Sequence, residues 1–321
     1  MAYAVVLGEA LIDLLEGRCD GEPVYRLVIG GGPLNVAVGV ARLGAAVEFV
    51  ASLGDDALAT RIRDFLASAG VGGRGLVSVA APTALAVVTF SDAEPDFRFY
   101  GDPPSYGLLD PTALDVPLIS DAAVVYCGSV ALLCPPTLAA ARRAWRHATG
   151  LRVFDPNVRP ALLHGPEAEA RLRAVVGEFA ATADLVKLSV ADAQVLYPNA
   201  TPAEVVARLL SLGAGTVVLT RGPHGALVAA GAEPQPVAAP QISAVDTTGA
   251  GDAVMAALIA DLLAEGPPEP AGWRERVRYA LHVAALVCES PGGAAAMPTR
   301  AQVQARFPDQ PVRPPNSAYP R

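Results

Sequence analysis

Thr201-Pro202-Ala203-Glu204-Val205-Val206-Ala207-Arg208-Leu209-Leu210-Ser211-Leu212-Gly213, followed across Ala214-Gly215 by Thr216-Val217-Val218-Leu219-Thr220, decides the fold class of this chain. The first part opens with a capping box, in which a threonine and the glutamate three positions on satisfy each other's free donors. It has proline at the first helical position and glycine where the helix should stop. The second part is a short run of β-branched residues and leucine, which reads as a buried strand. Outward from this unit the alternation continues. Strand-like runs at Tyr3 to Leu7, Ala123 to Cys127, Leu151 to Asp155 and Leu185 to Leu188 are separated by helical patterns. Helix stops fall at Gly44, Gly70 and Gly150, and Thr299-Arg300-Ala301-Gln302 opens a short final helix. Strand and helix in alternation predict an α/β fold with a doubly wound, mostly parallel central sheet and helices on both faces.

Two stretches break the rhythm. Leu14 to Ile29 and Pro82 to Gly101 carry β-branched and aromatic residues around the polar clusters Cys19-Asp20-Gly21-Glu22 and Ser91-Asp92-Ala93-Glu94-Pro95, so both read as hairpins. We expect them to join as a small β-sheet lid, formed by about 14–29 and 82–101, although two unrelated surface hairpins would show the same spacing. Pro311, Pro314, Pro315 and Pro320 predict an extended tail over 308–321, which leaves 1–307 as a single domain.

A chain of 321 residues with 52% apolar content can bury a large core. Its formal net charge of −8 supplies no basic field for nucleic acid or an anionic membrane, and points to a small-molecule protein. Cys19, Cys127, Cys134 and Cys288 form no C-x-x-C pair, so buried thiols in a reducing compartment are expected. The N-terminus lacks a cationic leader, and apolar stretches such as Ala253 to Ala260 fall short of the ~20 residues a membrane span requires. A cytoplasmic protein is expected.

Chemistry concentrates at Asp246-Thr247-Thr248-Gly249-Ala250-Gly251-Asp252, just before the helical run Ala253 to Ala264. Small residues let backbone approach a ligand, and a helix start aims its unpaired N–H groups and positive dipole end at an anion. A carboxylate in such a turn would repel phosphate. General-base catalysis resolves the conflict, because Asp252 can take the proton of an attacking hydroxyl while the amides of Gly249, Ala250 and Gly251 stabilise the transferring phosphoryl group. The plainer alternative is that Asp252 caps its helix.

Other nucleotide sites are excluded. Lys187 is the only lysine and follows Val186, so no G-x-x-x-x-G-K-[ST] phosphate loop exists. The first strand is not followed by G-x-G-x-x-G, and His147, His164, His224 and His282 form no H-E-x-x-H.

In Gly30-Gly31-Gly32-Pro33-Leu34-Asn35-Val36-Ala37 through Leu43-Gly44, and again in Asp246 through Asp252, the chain resembles the PfkB (ribokinase-like) carbohydrate kinases, over about Leu7 to Pro298. Further matches are Gly54-Asp55-Asp56, Lys187-Leu188-Ser189, and Thr220-Arg221-Gly222 with Gly225. Gly8-Glu9-Ala10-Leu11-Ile12-Asp13 and Asp155-Pro156-Asn157-Val158-Arg159 look most like the fructokinase and 2-keto-3-deoxygluconate kinase branches.

The resemblance implies an ATP- and Mg²⁺-dependent kinase acting on a hydroxyl of a monosaccharide, with Asp252 as base. It assigns Ser189, Thr220, Gly222 and Gly225 to the ATP site, with adenine near His282 to Leu286, including Ala285. It assigns sugar binding to Asp13, Gly31, Gly32 and Asn35, and those residue types suit vicinal hydroxyls and close ring approach. Arg159 would meet phosphate or a substrate carboxylate, and Tyr100 would stack on the ligand or pack within the lid. Asp192 stands where relatives have a glutamate linked to magnesium, so a water bridge is expected. Asp246 and Thr248 would neighbour a monovalent cation such as K⁺, and a homodimer through the lid is implied. Gly101 stands where relatives place a lid arginine, which leaves the sugar open. A nucleoside kinase, a 2-keto-3-deoxygluconate kinase and a non-catalytic sugar-binding regulatory protein remain alternatives.

Overall fold

Strand and helix alternate along most of the chain, as the pattern predicts. The computed structural model describes residues 2–91 and 94–308. In chain order the main elements are β1 (Tyr3–Leu7), β2 (Leu11–Cys19), β3 (Glu22–Gly30), α1 (Gly32–Arg42), β4 (Ala46–Leu53), α2 (Ala57–Ser68), β5 (Gly72–Ser78), β6 (Leu85–Ser91), β7 (Glu94–Tyr100), α3 (Val116–Ser120), β8 (Val124–Gly128), α4 (Pro135–His147), β9 (Leu151–Asp155), α5 (Pro166–Ala180), β10 (Leu185–Ser189), α6 (Val190–Leu196), α7 (Pro202–Leu212), β11 (Thr216–Thr220), β12 (Ala226–Ala229), β13 (Gln235–Val237), α8 (Ala250–Glu265), α9 (Trp273–Cys288) and α10 (Arg300–Arg306).

Local chemistry sets these boundaries. Thr201 and Glu204 complete the expected capping box of α7, and Gly213 ends it at φ 123. The same device opens α10, where Thr299 and Gln302 cap each other. Strand β8 is displaced by one residue from the expected run, and β4, β5, β12 and β13 join the expected runs as further strands.

Nine strands form one sheet in the order β13-β12-β11-β10-β9-β8-β1-β4-β5. All neighbours from β11 to β5 are parallel, and β12 and β13 add an antiparallel margin. Alternation along β1 divides the core between the two faces. Ala4 and Val6 pack with residues of α1, α8 and α9, whereas Val5 and Leu7 pack with those of α4, α5 and α7. Helix α8 is buried from Asp252 to Ala264 and apolar almost all round, which fits its place against α1 and α9.

The two hairpins left open by the sequence share one sheet, ordered β3-β2-β6-β7. A parallel pairing, from Ile12 opposite Leu85 to Leu15 opposite Val88, unites them. Of the expected turn cluster, Asp92 and Ala93 lie outside the described residues, as does the proline-rich tail beyond Pro308. The expectation of uniformly buried thiols is corrected: Cys127 and Cys288 are buried, Cys134 is half-buried and Cys19 is exposed. Among the described residues, no helix is long and apolar enough to cross a membrane.

The meeting of α1 with α8 depends on a small residue, since a Cβ at Gly39 would come within 2.5 Å of the Ala256 Cβ. Gly39→Val should therefore lower the unfolding free energy by about 1–3 kcal/mol through overpacking. Urea denaturation measures this, and an unchanged midpoint would contradict the tight crossing.

Candidate active site

The carboxyl ends of adjacent parallel strands converge on the start of α8, the usual ligand position in an open α/β sheet. Glu9 follows β1, Ser129 follows β8, Asp155 ends β9 with Asn157 just beyond, Ser189 ends β10 and Thr220 ends β11. Gly249 opens α8 in the left-handed region at φ 79, and it makes no side-chain cap. The amides of Gly251 and Asp252 lie in the first turn, where a helix offers no carbonyl four residues back.

Asp252 does not cap its helix. It is 6% exposed, and its oxygens accept from the Asn35 Nδ2 at 2.8 Å and the Asn157 Nδ2 at 3.4 Å. Burial raises its pKa above the usual aspartate range, against the Lys187 ammonium, the Asn35 hydrogen bond and the Arg159 charge. A desolvated carboxylate held by two neutral amides is a stronger proton acceptor than one in water. The Asn35 Oδ1 is buried with no hydrogen-bond partner among the described residues, which leaves an acceptor for an incoming hydroxyl.

On one side of this turn lies a cavity of about 500 Å³, with Ala250 and Gly251 in its wall. Ser189, Thr220, Gly222, Gly225 and Ala285, the residues the family resemblance assigns to nucleotide, all line it. His282 does not, and nor does Leu286. The helical repeat turns Leu281, Ala284, Ala285 and Cys288 to the cavity, while the His282 ring lies 4.3 Å from the Phe307 ring.

On the other side stand the residues expected to hold sugar. Gly31 begins α1 at φ 118, and Gly32 lies so close to Asn157 that a Cβ would collide with its Nδ2. Asp13, on β2, is half-buried, and burial pushes its carboxyl up to about 6 against the charge of Arg159. Arg159 is exposed, and its Nη1 donates to the Asn157 Oδ1 at 2.7 Å. Tyr100 ends β7 with 53% of its surface exposed. Gly101 follows at φ 115, a conformation that a residue with a Cβ rarely adopts.

The acidic candidates for cation binding are engaged with the protein. One Asp192 oxygen accepts from the Val158 N at 2.7 Å, and the other from the Ser189 N and Oγ at 2.7 Å each. Asp246 accepts from the Thr248 N at 2.8 Å and the Gly292 N at 2.9 Å, which fixes the turn before α8.

Sequence reasoning gave no role to Glu9, Ser129, Asp155, Asn157 or Lys187. Glu9 is buried, and it accepts from the Ser129 Oγ at 2.6 Å, the Gly32 N at 3.2 Å and the Ala131 N at 3.3 Å, so it ties β1, α1 and β8 together. Ser129 and Asn157 both have positive φ, at 69 and 37, which nothing in their sequence announces. Lys187 did carry a signal, since a lysine within a buried strand needs a partner.

The sequence profile of the pfkB family carbohydrate kinases matches residues 1–300. A probable fructokinase-3 of Arabidopsis thaliana is 32% identical, over 98% of this chain and 94% of that protein. The fructokinase of Klebsiella pneumoniae is 34% identical, over 93% and 97%. The crystal structure of a fructokinase with bound ATP from Xylella fastidiosa superposes with a TM-score of 0.87 at 29% identity, covering 96% of this chain and 98% of that one. The chain belongs to the pfkB family of carbohydrate kinases.

Burial pushes the Glu9 carboxyl from 4.5 up to about 7, against its hydrogen bonds and the charge of Arg159. Between those values the folded chain holds a proton that the unfolded chain has released. The stability due to this group is therefore full below the lower value and lost as pH rises through the upper one. Glu9→Gln should flatten the fall in unfolding free energy between about pH 5 and about pH 8. Equal slopes in the two proteins would contradict the assigned proton.

Proposed function

We propose that this carbohydrate kinase transfers the γ-phosphoryl group of ATP to a hydroxyl of fructose, with Asp252 as the base that takes the hydroxyl proton. One observation carries the reading: a single turn borders both halves of the cleft. Ala250 and Gly251 line the nucleotide-sized cavity, while Asp252 meets Asn35 beside Gly31 and Gly32. A phosphoryl group gripped by the amides of that turn lies within reach of the carboxylate, so proton removal and charge stabilisation act on the same transfer. Similarity to fructokinases supports fructose as the acceptor.

Each candidate residue takes a part in this reading. Asn35 orients Asp252 with its amide and offers its Oδ1 to a sugar hydroxyl, and Asp13 and the Gly31 and Gly32 backbone complete the acceptor side. Ser189, Thr220, Gly222, Gly225 and Ala285 hold the nucleotide, and Arg159 and Tyr100, both exposed, are assigned to the acceptor. Mg²⁺ neutralises phosphate charge when bound. Among the described residues no three His, Cys, Asp or Glu side chains cluster to cage a metal, so the fit is to an ion carried by the phosphates, with Asp192 reaching it through water. A K⁺ ion beside Asp246 and Thr248 belongs to the same proposal. So does a homodimer through the small sheet, whose Val24, Tyr25 and Tyr100 are 38%, 51% and 53% exposed.

Release of ADP with fructose, ribose, 2-keto-3-deoxygluconate and adenosine tests the acceptor. Fructose should give the highest kcat/KM, and a clear preference for adenosine or the keto acid would select an alternative. Asp252→Asn should keep nucleotide binding and lose roughly 10² to 10⁴-fold in kcat. Full turnover in that variant would remove Asp252 from the role of base, and saturable sugar binding without ADP release from the wild type would favour a regulatory protein.

A further inference from the structure

Lys187, the chain's only lysine, lies on β10 with 2% of its surface exposed. Its ammonium donates to the Asp155 Oδ2 at 2.9 Å, and Asp155 is fully buried. The first turn of α8 packs directly on it, since a Cβ at Gly251 would come within 2.9 Å of the Nζ. The other Asp155 oxygen accepts from the Asn157 N at 3.1 Å, and the Asn157 side chain reaches Asp252. One buried polar chain thus runs from the ammonium to Asp252, and the ammonium also touches the anion turn from beneath.

The balance of charge around Asp252 gives this contact its meaning. Asp155 after β9 and Asp192 on α6 are the carboxylates that share this field with Asp252, and Glu9 after β1, which holds its proton up to about pH 7, adds little negative charge to it. Tyr126, on β8, faces the same cluster with a raised pKa and stays neutral. Among the described residues the buried opposing cation is Lys187, and Arg159 acts from an exposed position. Burial works against the ammonium, but Asp155, Asp192 and Asp252 together hold its pKa above the ordinary value. A turn that must receive a triphosphate beside such carboxylates needs positive charge, and no phosphate loop supplies a lysine.

We propose that Lys187 is a positioning residue for phosphoryl transfer. Without touching ATP, its ammonium offsets the carboxylates behind the Gly249–Asp252 turn and keeps Asp252 in its proton-accepting form. The inference rests on the assignment of Asp252 as base. The competing account is a purely structural ion pair, whose removal would change folding alone.

The test compares full-length Lys187→Met, Asp155→Asn/Lys187→Met and Asp252→Asn with the wild type, using ATP and the sugar that the wild type turns over best. Lys187→Met should lower Tm, lower kcat about 10- to 100-fold with little change in KM for the sugar, and move the acid limb of the kcat profile upward by about one pH unit or more. The double variant removes the unpaired carboxylate along with the lysine. It should recover Tm yet keep a low kcat and a raised acid limb. A double variant with wild-type kcat and acid limb would reduce the pair to a fold-holding role and overturn the proposal. Should Asp252→Asn itself turn over normally, the base assignment fails first. An inactive Asp252→Asn beside a fully active double variant removes only the role of Lys187.

Discussion

Asp252 sits out of water at the head of α8, its oxygens held by two asparagine amides, with a lysine ammonium under the same turn. Charge in such a place is costly unless hydrogen bonds and a counter-charge surround it. Meeting that requirement draws in residues far apart in sequence: Asn35 from α1, Asn157 beyond β9 and Lys187 from β10. The parallel sheet makes this affordable, because its strand ends arrive side by side at one edge.

The same edge explains the division of the cleft. Under the proposed function, phosphate recognition uses backbone, which suits the small residues Gly249 to Gly251. The cavity proposed for nucleotide is walled by small and apolar residues such as Ala284, Ala285 and Val254, and the proposed acceptor side is built from carboxylate, amide and guanidinium groups. Glu9 joins β1 to α1 and to the segment after β8, so the glycine run at Gly31 and Gly32 is anchored to the sheet itself.

Much of this could be read from the residues alone. Alternating strand and helix patterns identified the doubly wound sheet, and the Gly-Ala-Gly-Asp run pointed to the start of α8, where Asp252 meets Asn35 and Asn157. The small sheet was only half legible. Hairpin signals are local, whereas the β2–β6 pairing that unites them depends on contacts across some seventy intervening positions, roughly the range at which sequence patterns are silent. The resemblance sets adenine near His282 to Leu286, and the helical repeat turns Ala285 to the cavity and His282 to Phe307. The roles of Asn157 and Ser129 were hidden because left-handed backbone at a non-glycine residue is imposed by tertiary structure.

Gly101 has a wider implication. Its chain direction, φ 115, suits a residue without a Cβ. A longer side chain at this point would need a redrawn turn, so a single-codon exchange would not simply import the reach of a basic group. Under the proposed function, divergence of acceptor choice near Gly101 would have to proceed through insertions or changes of loop path, while the turn before α8 stayed as it is.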